Sequence, residues 1–291
     1  MLVMFAIGAV VIISVAALFL VGKRGAPFEF GEKVGVIVIR GVIANPQPIL
    51  THLKEFRNNK DVKAIVLRID SPGGGVGPSQ EIYEEVKKTS RLKKVVASLG
   101  AIGASGGYYV AAAADHIMAN PGTITGGIGV IIEFANLEEL FKKIGVSAFV
   151  LKSGEFKDMG SPLRQMTNAE KKLLQGFVDN VHQQFVTAVA EGRKMPEEKV
   201  RGIADGRILS GEQAQKLGFL DSLGNLEDAI ALAAKLGGIK GEPLVFYAKK
   251  KKFSLFEYLF GSSLIGVLDE ITTSALHCGY LFVPAWSTGN G

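Results

Sequence analysis

Cys278 is the only cysteine in a chain of 291 residues. No disulfide can close within the chain, and a thiolate metal cluster built by one copy is excluded. Histidine is scarce too, with only His52, His116, His182 and His277 available as imidazole bases. An excess of one charge is also missing: 33 Lys and Arg face 28 Asp and Glu, a formal net charge of +5. The basic residues alternate with acidic ones except at Lys249 to Lys252, so nucleic acid is not implied as a partner. No G-x-x-x-x-G-K-S/T run occurs, which removes the commonest phosphate loop. Neither a metal nor a cofactor is called for. The 36 glycines and 10 prolines follow no collagen period and form no linker tract. The glycines cluster in motifs, the pattern expected of tight turns around a site.

What the chain does have is apolar substance, 47% of its residues, enough for a sizeable core. From Leu2 to Val21 no residue is charged, and about 20 apolar residues suffice to cross a hydrocarbon layer of roughly 30 Å as a helix. A cleaved signal peptide would carry its basic residues first, whereas Lys23 and Arg24 follow the apolar run; the expectation is a retained single-pass anchor over residues 1–22. Those two basic residues alone would place the following flank in the cytoplasm, against the functional expectation of a catalytic domain facing outward.

After a linker over residues 23–32, branched residues from Lys33 to Val42 predict a buried strand, and Asn45 with Pro46 predicts a helix start. The alternation continues with a strand over 62–69, a helix over 79–91, a strand over 94–99, a helix over 106–114, a short strand near Ile117 and a helix over 137–144. Such alternation predicts an α/β fold with largely parallel strands. Thr167 with Glu170, and Ser210 with Gln213, have the form of capping boxes, the first opening a long helix to Glu191. The expected division is a catalytic domain over 33–240 and a C-terminal extension over 241–291, in which Lys249 to Lys252 precede an apolar helical face (Phe253, Phe256, Phe260, Leu264) that would rest on lipid or on a neighbouring subunit. Residues 280–286, YLFVPAW, read as an apolar terminal strand.

Ser105 sits among Gly103, Ala104, Gly106 and Gly107, directly after a strand and at the start of a helix. Small neighbours expose the hydroxyl, and free N–H groups at a helix start stabilise an oxyanion; a serine N-cap in a Gly-rich turn fits the same segment. Gly73, Gly74 and Gly75 offer bare backbone N–H groups to a carbonyl, or simply form a turn. Gly103-x-Ser105-x-Gly107 also has the G-x-S-x-G form that calls for a downstream histidine, but His182 lies in the long helix and His277 near the end. Lys157 lies in a loop of small residues, LKSGEFKDMGSP. A lysine there is either solvated or, if buried so that its ammonium is disfavoured, a general base.

RIDSPGGG (Arg68 to Gly75), GAIGASGGYYVA (Gly100 to Ala111), ANPGTITGGIGV (Ala119 to Val130) and KSGEFKDMGSPLRQMT (Lys152 to Thr167) together resemble the signal peptide peptidase A family in its short single-copy form, from the anchor to about Leu223. The resemblance implies a Clp-protease/crotonase-like superhelix of βα units. Ser105 would be the nucleophile, Lys157 the base, and Gly73, Gly74 and Gly106 the oxyanion and substrate-binding positions. It also implies a homo-oligomeric ring with sites between subunits, and apolar peptides, including signal-peptide remnants, as substrates at a membrane. The histidine that a Clp protease carries about 25 residues after its serine is absent from 129–131, and Glu133 is the only nearby acid that a crotonase-type site could use. One departure stands out: Gly127 occupies the place of the usual serine in T-G-S-I-G, the hydroxyl that orients the lysine. A water, a carbonyl or Thr125 would have to replace it. That gap favours a catalytically silent membrane scaffold as the alternative to an active peptidase, and a peptidase specific for one membrane protein is a further reading.

Overall fold

The computed structural model describes residues 31–248 and the backbone of 279–281. The expected anchor over 1–22 and the basic and apolar run from Lys249 to Leu264 lie outside the described residues. Among the described residues no helix is long and apolar enough to cross a membrane.

The branched run KVGVIVIR forms β1 (Lys33–Arg40), and VKAIVLRIDS forms β2 (Val62–Ser71), parallel to it in a register running from Val34↔Ala64 to Arg40↔Asp70. Alternate side chains go to opposite faces. Ile37, Ile39, Ile65, Leu67 and Ile69 enter one core, while Val34, Val36, Ala64 and Val66 enter a second on the other face. Both faces are covered, which is why these strands read as continuous apolar runs instead of alternating ones.

The first core is roofed by α1 (Gln47–Asn58), α2 (Val76–Ser90), α3 (Gly106–Ala111) and the C-terminal half of α5 (Asn168–Arg193); α4 is Glu138–Lys143. After α6 (Glu197–Arg201) and α7 (Gly211–Leu217), α8 (Leu226–Leu236) covers the opposite face with Ala229, Ile230, Ala233 and Ala234. The predicted helix starts hold to within a residue except that of α2, which opens at Val76, three residues before the expected 79. Asn45 accepts the Gln47 N–H at 3.0 Å, although Pro46 takes the cap position itself. Both predicted capping boxes form, and Asn225 supplies a third at α8.

β4 (Lys94–Ala104) runs five residues beyond its predicted end at Leu99. It pairs with β2 on one side. On the other it serves two strands in turn, β5 (His116–Ala119) along Val96 to Leu99 and β6 (Ile124–Gly126) along Ile102 to Ala104. The sheet thus forks at Gly100. β7 (Ile208–Ser210) joins β6 as its antiparallel member, β8 (Ser222–Leu223) extends β5, and β9 (Leu244–Tyr247) adds parallel to β1, just past the expected division at 240. The result is a mixed α/β fold dominated by parallel pairing, as the alternation predicts.

Candidate active site

The fork in the sheet ends at Ser105. Its backbone has φ 52° and ψ −120°, a conformation that L-residues avoid and that costs about 1–3 kcal/mol. Two bonds over-determine it: the Ser105 N–H donates to the Gly126 carbonyl at 2.8 Å, and its carbonyl accepts the Tyr109 N–H at 2.8 Å. The turn sets Ser105 between the end of β4 and the start of α3. Ser105 is 2% exposed, and among the described residues its hydroxyl has no hydrogen-bond partner.

The helix after the serine is immobilised. Tyr108 is fully buried and donates its hydroxyl to the Phe219 carbonyl at 2.8 Å, and Tyr109 meets the Phe185 ring edge-on with centroids 4.9 Å apart. Burial pushes both phenols up, Tyr109 to about 12. The N–H groups of Gly106 to Tyr108 open α3 and have no intrahelical acceptor.

β3 (Gly73–Gly75) lies beside this turn. Its polar groups are apportioned by side. The Gly73 N–H bonds the Ser71 hydroxyl at 3.1 Å, the Gly73 carbonyl accepts the Ile43 N–H, and the Gly75 N–H donates to the Ile43 carbonyl. Gly74 therefore faces the other way. A side chain there is forbidden, since a Cβ would lie 2.3 Å from the Ile43 carbonyl oxygen. On that free edge the chain lays β10 (Gly279–Leu281) antiparallel, with Tyr280 opposite Gly74. The predicted Gly74 and Gly106 are thus at the end of the sheet where Ser105 emerges, and the edge of β3 takes up extended chain.

Gly127 touches the nucleophile's turn. Its φ is +63°, and a Cβ there would lie 3.3 Å from the Ser105 nitrogen and 3.7 Å from its Cβ. A serine at this place would stand beside Ser105. The hydroxyl of fully buried Thr125, the side chain that would have to replace the serine, is donated to the Gly103 carbonyl at 2.8 Å.

Lys157 belongs to another part of the molecule. Every residue from 142 to 157 is exposed, and among the described residues the Lys157 amine has no hydrogen bond or ion pair. One chain does not hydrogen-bond it to Ser105. Phe149 and Leu151 are 87% and 91% exposed on the same arm, and α4 has no buried residue. Among the described residues, His52 pairs with Glu55, His116 with Ser222, and His182 sits in α5 with its Nε2 buried and unpartnered; His277 lies outside them.

Sequence reasoning overlooked the charged cluster beside Lys157. Lys152, Asp158, Arg164 and Glu170 recur every six residues, a spacing that matches no regular element and so gives no signal. Here they form one chain of alternating charge. Arg164 donates to both Asp158 oxygens, at 2.8 and 2.7 Å, and to Glu170 at 3.0 Å, while Lys152 reaches Asp158 at 2.6 Å. Arg164 and then Lys152 hold the Asp158 carboxyl well below the carboxylate range. Arg164, followed by the Thr167 N–H, holds Glu170 down to about 2.

A strained, buried serine between a strand end and a helix start, beside a strand edge on which β10 lies, is a candidate nucleophile site on an α/β scaffold. The sequence pattern of Peptidase family S49 matches residues 87–240. "Putative protease slr0021" of Synechocystis sp. is 49% identical over 210 residues, 72% of this chain and 76% of its own length. "Putative signal peptide peptidase SppA" of Enterococcus faecium is 39% identical over 213 residues, 68% of this chain and 62% of its own. Protease 4 of Salmonella typhi is 32% identical over 231 residues, 76% of this chain and 37% of its own. The chain belongs to peptidase family S49, a family of serine peptidases.

Proposed function

We propose that this chain is a membrane-tethered endopeptidase that degrades signal-peptide remnants and other short apolar peptides through a Ser105–Lys157 dyad. The observation that carries the reading is the juxtaposition at Ser105: a nucleophile with no internal hydrogen-bond partner, beside a strand edge on which extended chain already lies. Peptide binding by strand addition uses main-chain bonds and tolerates varied side chains, which suits a scavenger of mixed fragments.

In this mechanism neutral Lys157 takes the Ser105 proton as Oγ bonds the scissile carbonyl carbon, and N–H groups of Gly74 and Gly106 receive the oxyanion. Collapse breaks the C–N bond, and the leaving amine takes the proton from Lys157. Lys157 then deprotonates a water that attacks the acyl ester, and Ser105 leaves as the hydroxyl. A lysine base requires desolvation, and the exposed arm supplies none within one chain. A homo-oligomeric ring of the Clp-protease/crotonase-like type, in which the arm of one copy covers the Ser105 of the next, supports both needs: it buries Phe149 and Leu151 and dries Lys157. The charge-free run from Leu2 to Val21 supports a single-pass tether at the cell membrane, with the catalytic domain extracytoplasmic where signal-peptide remnants are released.

The test is turnover of a quenched apolar peptide together with fluorophosphonate labelling. Ser105→Ala and Lys157→Ala are each expected to lower kcat by about 10³-fold or more while the assembly persists. Gly127 favours a silent scaffold as the competing reading; no labelling of Ser105 and no turnover in the unmodified protein would establish it in place of the peptidase.

A further inference from the structure

We propose that Arg164 is a positioning residue for Lys157, acting through Asp158; the inference rests on the dyad described above. Apart from Asp158, the loop carrying Lys157 is held by bonds within the exposed arm itself, from the Lys152 amine to the Glu155 carbonyl at 2.7 Å and from the Leu137 N–H to the Pro162 carbonyl at 2.8 Å. It is a run of tight turns, Lys157 N–H to the Gly154 carbonyl, Met159 N–H to Phe156 and Ser161 N–H to Asp158, within an exposed arm. Turns of this kind fix local shape and leave the loop free to swing as a unit. Asp158, the residue after the base, is what ties it down. Its carboxylate takes the Arg164 guanidinium in the two-pronged geometry that fixes both distance and plane, and a third bond runs from Arg164 to the Asp158 carbonyl at 3.3 Å.

The other end of the guanidinium is anchored in a helix. Glu170, 2% exposed, takes two of its N–H groups, and the same carboxylate accepts the Thr167 N–H at 2.7 Å in the capping box that starts α5. Arg164 therefore links the loop of the base to the first turn of a 26-residue helix whose far half is built into the core beneath Tyr109. That is a rigid path from the floor of the nucleophile to the base. A lysine at 164 would keep the charge but could not hold Asp158 and Glu170 each in two-pronged geometry, because its ammonium lacks the planar fork. Lys152, on the outer side of Asp158, balances the second carboxylate charge and leaves the cluster neutral.

The experiment is a double-mutant cycle in the full-length assembly, with kcat, KM and the pH profile of kcat as readouts. Arg164→Lys and Arg164→Met are expected to lower kcat about ten- to a hundredfold with KM within about threefold, and to move the acidic limb of the profile to higher pH, because a base no longer held in its pocket is more readily protonated. In the Lys157→Ala background Arg164→Met is expected to change the residual rate less than twofold, the non-additivity of residues acting through one another. Should Arg164→Met fail to assemble, Asp158→Asn keeps Arg164 on Glu170, removes only the charged link to the loop, and is expected to give the same kcat loss and limb shift. Equal losses with Lys157 present and in the Lys157→Ala background, or a kcat loss with an unmoved pH limb, would overturn the positioning role while leaving the dyad intact. High turnover in Lys157→Ala alone would instead remove the dyad.

Discussion

The two ends of α5 divide the molecule. From Val181 to Ala190 the helix contributes Val181, Phe185, Val186 and Val189 to the core under α3. From Lys171 to Asn180 it is mostly exposed, with Leu173 and Phe177 about half in solvent, and it leads back to the arm that bears Lys157. The Ser105 half is finished: Ser105 is strained, doubly bonded and nearly inaccessible. The Lys157 half has its internal polar contacts but, among the described residues, no apolar cover. If the proposed dyad forms between copies, activity and assembly should be lost together.

Breaking that coupling gives the largest expected effect. Phe149→Asp with Leu151→Asp places two carboxylates where two of the most exposed large apolar side chains stand. If these residues seat the arm on a neighbouring copy, charge there leaves the fold of one chain untouched and lowers peptide turnover by about a hundredfold or more, as for truncated interface anchors. Sedimentation should show smaller particles, and far-ultraviolet dichroism should not change. Full activity in a particle of unchanged size would mean that the arm finds its cover within its own chain.

A smaller effect separates the halves by pH. Asp158 and Glu170 both have carboxyls depressed in the folded state, so their contribution is fully present above the unfolded values, 3.8 and 4.5, and is lost as pH falls, for Glu170 through about 2. Segment 95–112 contains no carboxylate; in the core around it burial pushes Asp221 up but Arg193 and the Ile117 N–H outweigh it and hold it low, while the buried tyrosines are pushed up and stay neutral throughout this range. Acidification below about pH 4 should therefore raise amide hydrogen exchange in 152–175 before it does so in 95–112. Simultaneous loss in both segments would mean that the clamp and the core unfold as one unit.

The same division decided what could be read from the sequence. The core half follows rules of period and propensity: branched runs gave β1 and β2, and T-x-x-E and S-x-x-Q gave their helix starts. Ser105 stands out as a candidate because it lies among glycines between a strand and a helix, a segment that a serine N-cap fits as well. β4 was cut short because Gly100 and Gly103 look like a loop; its last residues are strand only because β6 arrives from further along the chain to pair with them, Ile124 against Ile102. The arm obeyed no such rule. Its apolar residues from Val146 to Leu151 are exposed among the described residues, so no amphipathic pattern marks them, and the Arg164 cluster depends on a fold that brings residues six apart together. Lys157 was legible through resemblance, since nothing local distinguishes it from a solvated lysine.

The finest test touches the seam between the halves. Gly127 has φ +63°, where any side chain is strained, and a Cβ would press to 3.3 Å on the Ser105 nitrogen, a backbone atom already committed to the Gly126 carbonyl. Gly127→Ser therefore carries a cost of about 1 kcal/mol or slightly more, which for a domain of this size lowers Tm by about 2–4 °C. Against that, it restores a hydroxyl next to the nucleophile that could accept or donate to an arriving amine. If the Arg164 clamp already orients Lys157, the hydroxyl adds little, and kcat should rise less than twofold while Tm falls. A rise of tenfold or more would show instead that the amine reaches Ser105 poorly oriented, and that the unfinished half lacks a side chain at 127 as well as a cover.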